Sequence, residues 1–245
     1  MGPRGDALWR LELAPLLEAM MKYPQDPHLQ QYGMTRLAKM LNLCDRAERT
    51  QAFLRLHETD ALQVTINAIE VHLEEAIVQA EAASFLRAFA SYGGTARGSI
   101  VAAGALPAVC LVLQVHKPNV DVIVSVCRLC AELCSRRDAP PGSRRALASA
   151  LATTGVLQAA IAALLLWIGE ERVVAPVSEI VLACVDEFAG GSAQHTPLEL
   201  QQQLRESALL AALATTRHVF VGNHTIELAA AWAAARTHVQ MSATV

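Results

Sequence analysis

Three stretches of the chain are apolar almost without interruption: LQVTINAIEV from Leu62, LPAVCLVLQV from Leu106 and LQAAIAALLLWI from Leu157. The same short phrase opens each of them, as Asp60-Ala61-Leu62, Gly104-Ala105-Leu106 and Gly155-Val156-Leu157, with starts 44 and 51 residues apart. Self-similarity at that period predicts an all-α solenoid of stacked helical units, because one such unit cannot bury its apolar face alone. A helix that is apolar nearly all round is expected to be covered on most sides.

After each apolar run and a short break comes a second run, and there the pattern is amphipathic. Leu29, Gly33, Leu37 and Met40 align with Val78, Ala82, Leu86 and Phe89, and then with Val122, Val126, Cys130 and Leu133. A fourth copy supplies Val174, Ser178, Leu182 and Val185, with Ser178 the one polar intruder. Steps of four, four and three keep each set on one helical stripe. Asp26 before Pro27, and Asn119 after Pro118, read as N-caps. Thr196-Pro197-Leu198-Glu199 reads as a capping box, and Gly93-Gly94 and Gly190-Gly191 as helix ends. Polar segments between units read as loops leading back. Residues 13–23 align with 62–72 but lack the opening glycine, and the copy over 207–238 is looser still, as the ends of a finite stack should be. The chain divides into an extension over 1–12, a repeat domain over 13–238 and a tail over 239–245. The units fall near 13–43, 54–91, 100–135, 149–189 and 197–238.

IVAAGALPAVCLVLQV followed by VDVIVSVCRLCAEL resembles an armadillo repeat. Residues 100–134 match that family's pattern best, 54–90 and 149–188 moderately, and the two ends weakly. The resemblance implies a right-handed α-solenoid of about four to five three-helix repeats, whose third helices, opened by the Gly-Ala-Leu phrase, line a concave groove. It implies a shape and no single activity. Nuclear import receptors of the family pair a Trp and an Asn on successive third helices; here Asn67 and Trp167 stand in different copies. Catenin-type grooves are lined by Lys and Arg; segments 62–72, 106–116 and 157–168 contain neither. Neither subtype fits.

Hydrophobic residues make up 53% of the chain and aromatics 4%, so the core is expected to be built from Leu, Ala, Val and Ile. A net charge of −3 supplies no general pull toward nucleic acid or anionic lipid. Six unevenly placed cysteines argue for reduced thiols inside a cell. Asp6 and Glu12 interrupt the N-terminal region, and Asp6 stands where a myristoylation signal has Ser or Thr, so no targeting segment is expected. Residues 146–168 are 23 in a row without charge, long enough to span a bilayer. Thr153, Thr154 and Gly155 fall where the other copies turn, however, and Gln158 lies near the centre, so a buried helix pair is expected.

Cys127, Cys130 and Cys134 share one side of a helix. A metal site needs a second ligand-bearing element, and Cys130 aligns with Leu37, Leu86 and Leu182, so these read as small hydrophobes; no metal and no cofactor is expected. Arg136, Arg137, Arg144 and Arg145 bracket Pro140-Pro141 in the longest inter-unit segment. They could clamp an acidic tail or phosphates, or keep a solvated loop soluble. With Trp167, which ends an apolar run before Gly169, they are the candidate partner-binding residues. Residues 92–98 are glycine-rich without a phosphate-loop ending and read as a connector. His218 and His224 flank an irregular stretch, as ligands or as surface histidines. The chain has no His-Glu-x-x-His and no Gly-x-Ser-x-Gly, so no catalysis is expected.

Neighbouring helices cover only part of segments 62–72, 106–116 and 157–168, and the remainder is expected to dock on another protein. Close approach through Ala159, Ala160 and Ala163 is the alternative. The expected function is a non-catalytic protein–protein interaction scaffold, a structural or accessory subunit of a larger intracellular assembly; the alternative is a reversible peptide-binding adaptor. Its expected partners are other proteins, with neither nucleic acid nor a membrane span. Its expected place is the cytoplasm by default, with cilia, the cytoskeleton and mitochondrial complexes as other homes for such parts.

Overall fold

The computed structural model describes residues 8–42, 46–135, 143–189 and 207–242. Among them it has thirteen α-helices and no strand. They are α1 (Leu8–Lys22), α2 (Pro27–Leu41), α3 (Arg46–His57), α4 (Ala61–Val71), α5 (Ala76–Ala90), α6 (Gly94–Ala102), α7 (Ala105–Val115), α8 (Val120–Leu133), α9 (Ser143–Thr153), α10 (Val156–Leu166), α11 (Glu171–Ala189), α12 (Ser207–Val219) and α13 (His224–Ser242).

The apolar runs become α4, α7 and α10, and the amphipathic runs become α2, α5, α8 and α11. Like packs on like. The helices α2, α5, α8, α11 and α13 each lie against the next in one rank, and α1, α4, α7, α10 and α12 do so in a second. The aligned stripe positions Leu37, Leu86 and Cys130 are fully buried, as are Val174 and Ser178, while Leu182 is half-buried. Asp26 Oδ1 accepts the amide hydrogens of His28 and Leu29 at 3.0 and 3.1 Å, and Asn119 Oδ1 accepts that of Val122 at 3.3 Å. These carboxylate and amide oxygens satisfy amide donors that a helix start leaves open.

The segments that read as polar loops are helices in their own right. In α3 only Ala52 and Leu56 are buried, so no amphipathic stripe announced it; Arg, Glu, Gln, Ala and Leu suit a helix by propensity alone. Gly93-Gly94 does not end a helix. The α5 cap is Ser91, and Gly93 caps the start of α6, which occupies most of the expected connector. Phe53 of α3 stacks on Tyr92 with centroids 4.6 Å apart and tilts against Phe89 at 5.0 Å, concentrating the scarce aromatics at one joint. The Tyr92 hydroxyl donates to the Leu41 carbonyl at 2.8 Å. The expected capping box at Thr196 and helix end at Gly190-Gly191 lie outside the described residues.

Among the described residues no single helix is long and apolar enough to cross a membrane. Residues 94–102 with 105–115, and 144–153 with 156–166, reach that measure only as pairs, bent by 76° and 71°. The bends fall on the repeated phrase, where Gly104 and Gly155 have φ of +86° and +80°. Asp60, at the same place in the first copy, has φ −77°, which needs no glycine.

Candidate functional site

Arg136 and Arg137 lie outside the described residues. Arg144 and Arg145 stand half-buried in the first turn of α9, where Arg144 shares a cleft of about 10 Å³ with Cys134, Leu147, Ala148 and Ala183. Trp167 caps the far end of α10, and its Nε1 donates to the Lys117 carbonyl at 2.9 Å. Cys134 follows α8 and Lys117 precedes it, so the arginines and the indole sit at opposite ends of that helix, about 20 Å apart. They do not form one site.

The helices of the second rank leave a row of aliphatic side chains outside. Leu111 is 46% exposed and Val115 43% on α7; Leu165 is 40% and Leu166 57% on α10. Val71, Val115, Leu166 and Val219 are each the last residue of their helices, α4, α7, α10 and α12, and all four are exposed. The same helix-end position is thus apolar and exposed on four helices that pack one against the next, so these side chains recur along one side of that rank.

The first rank carries a surface groove of about 560 Å³ across α5, α8 and α11. Arg87 comes from α5, Arg128 and Glu132 from α8, and Glu171, Arg172 and Glu179 from α11. Pro176 also lines it, and because proline has no amide hydrogen, the Arg172 carbonyl loses its helical donor. Most of the charges are engaged. Arg172 Nε donates to Glu170 Oε1 at 3.0 Å, and its Nη1 lies 3.3 Å from Asp121. Asn223 Nδ2 donates to Glu171 Oε1 at 2.8 Å, and Glu132 faces the buried Arg97 at 3.9 Å. Arg87, Arg128 and Glu179 have no opposite charge within 4 Å among the described residues. Burial in the groove wall, together with the nearby Glu132 carboxylate, pushes the Glu179 carboxyl above the usual range.

None of these three stood out in the sequence, although a signal was there. Arg87, Arg128 and Glu179 occupy the polar face of the aligned amphipathic runs, beside the stripe residues Leu86, Cys130 and Ser178. This groove lies on that rank, not on segments 62–72, 106–116 and 157–168, where the resemblance places the binding surface.

Cys127, Cys130, Cys134 and Cys184 are buried. Burial pushes Cys130 and Cys184 up to about 12 and holds Cys127 and Cys134 well above the usual thiol range. A neutral thiol held this way packs as a small hydrophobe. No three His, Cys, Asp or Glu side chains converge to hold a metal among the described residues. No protein-family model matches the chain, and no curated protein matches it.

Proposed function

We propose that this protein is a non-catalytic protein–protein interaction scaffold, a right-handed armadillo-type α-solenoid of about four to five repeats that serves as a structural subunit of a larger intracellular assembly. The observation that carries this reading is the edge formed by Leu111, Val115, Leu165 and Leu166, aliphatic side chains left in solvent on helices whose other faces are buried. Covering such surface is favourable by about 25 cal/mol per Å², and a permanent partner is the simplest cover. Cross-linking mass spectrometry on material from the native source tests it. Lys117, exposed beside this edge, is expected to cross-link to a stoichiometric partner. Monomeric elution without any cross-link would overturn the reading.

The charged groove across α5, α8 and α11 favours a second reading, an adaptor that also holds a peptide reversibly. Grooves lined by charge bind in a salt-dependent manner, whereas an apolar edge does not. Partner release by moderate salt, with the assembly otherwise intact, would place peptide exchange above permanent docking.

A further inference from the structure

We infer that the groove across α5, α8 and α11 takes an extended polypeptide segment carrying two acidic residues and then one basic residue, each about three residues from the next. This rests on the reading of the chain as a protein-binding scaffold. Arg172, Glu171 and Glu132 already face Glu170 and Asp121, Asn223, and Arg97. Among the described residues what remains is Arg87 on α5, Arg128 on α8 and Glu179 on α11: positive, positive, negative, one on each of three successive helices of the rank. A complementary ligand reads negative, negative, positive in the same direction.

Spacing selects the form of that ligand. Packed helices stand about 8–10 Å apart, and an extended chain advances about 3.3 Å per residue, so charges at every third residue keep step with successive helices. Inside α11, Pro176 offers no amide hydrogen to the Arg172 carbonyl, so an extended segment can meet that oxygen with a backbone amide. A basic side chain beside Glu179 offsets both the burial and the nearby Glu132 carboxylate, which together disfavour its charge. The carboxylates of Glu132 and Glu179 set the groove against a nucleic-acid backbone, which presents phosphate at every step.

Fluorescence anisotropy with the full chain at low ionic strength tests the charge order. The probes are labelled synthetic peptides with aspartate, aspartate and lysine at every third residue, in both chain directions, and a scrambled peptide of the same composition. One direction of the patterned peptide is expected to bind at least about tenfold tighter than the scrambled one. Arg128→Glu exchanges an attraction for a repulsion and is expected to weaken that peptide by about tenfold; a peptide with lysine in the middle position should recover the loss. Equal binding of the scrambled peptide, or binding unchanged in Arg128→Glu protein of normal thermal stability, overturns the inference. A partner segment cross-linked in the groove without affinity for either patterned peptide also overturns it, while leaving the scaffold reading in place. No peptide binding and no cross-linked partner overturns both.

Discussion

The Nε2 of His116, at the end of α7, donates to the Leu73 carbonyl just after α4 at 2.7 Å. His72, at the end of α4, does the same to Pro24 O, just after α1, at 2.8 Å, and Trp167, at the end of α10, to Lys117 O, just after α7, at 2.9 Å. All three residues cap the C-terminus of an apolar helix, α4, α7 or α10, so one geometric role recurs with different side chains. His72 and His116 are buried, and removing either leaves a carbonyl without its donor. His116→Ala is expected to cost about 2–3 kcal/mol, from the lost bond and the space left behind. Urea unfolding measures it, and His116→Gln, which keeps a donor, should recover part of the loss.

Trp167 is a candidate partner contact by its place after an apolar run, yet its indole hydrogen already bonds the Lys117 carbonyl. Trp167→Phe keeps an aromatic ring and removes only the donor. The expected loss is about 1 kcal/mol of stability, a shift of roughly 2–4 °C in a thermal melt, with partner cross-links unchanged. Loss of a partner without loss of stability would return Trp167 to the binding surface.

The two glycines of the repeated phrase differ in what surrounds them. Gly104, at φ +86°, has open space where a side chain would go, whereas a Cβ on Gly155, at φ +80°, would lie 3.3 Å from Cys110 Sγ. Gly104→Ala is expected to cost about 1–2 kcal/mol from backbone strain alone, Gly155→Ala somewhat more, and Gly104→Asn less than either, since asparagine tolerates the left-handed region. Asp60→Ala should be close to neutral, because Asp60 has an ordinary φ and its side chain makes no cap bond. Equilibrium unfolding of the four variants ranks them.

What could be read from the residues and what could not divide along physical lines. Leu37, Leu86 and Cys130 carried a repeating stripe because burial demands apolar atoms at fixed helical spacing, and all three are fully buried. Asp26 and Asn119 were legible because capping is local. Helices α3 and α6 were not, since packing on neighbours rather than an internal stripe holds them; α3 buries two residues only. The joint between Trp167 and Lys117 was invisible for another reason: its acceptor is a backbone carbonyl 50 residues away, which leaves no mark on the side chain at that position. Likewise Arg87, Arg128 and Glu179 look like ordinary solvated charges until stacking sets their helices side by side and the neighbouring charges are paired off.

Buried thiols make stability depend on alkaline pH. Cys130 and Cys184 titrate at about 12 in the folded chain because burial disfavours the thiolate, against about 8.5 when unfolded. Both states are protonated below about 8.5, so their contribution is fully present there. Above it the unfolded chain ionises first, and stability falls as pH rises toward the folded value, by about 1.4 kcal/mol per pH unit for each thiol. Urea midpoints between pH 8 and 10 should therefore drop, and Cys184→Ala should reduce the slope by about one proton's worth. An unchanged slope would show that Cys184 is not held neutral.

The aliphatic edge gives the most direct separation of folding from function. Leu166 is 57% exposed at the last position of α10, so Leu166→Asp removes little packing and is expected to change stability by no more than about 0.5–1 kcal/mol. On a partner-covered edge the same change buries an unpaired carboxylate, which costs several kcal/mol and should abolish a stable contact. Leu165→Asp, one residue earlier and 40% exposed, should act in the same direction. Cross-linking at Lys117 in cells expressing each variant, set beside a thermal melt of the purified protein, reads both effects. A folded Leu166→Asp chain that keeps its stoichiometric partner would show that the edge is simply solvated.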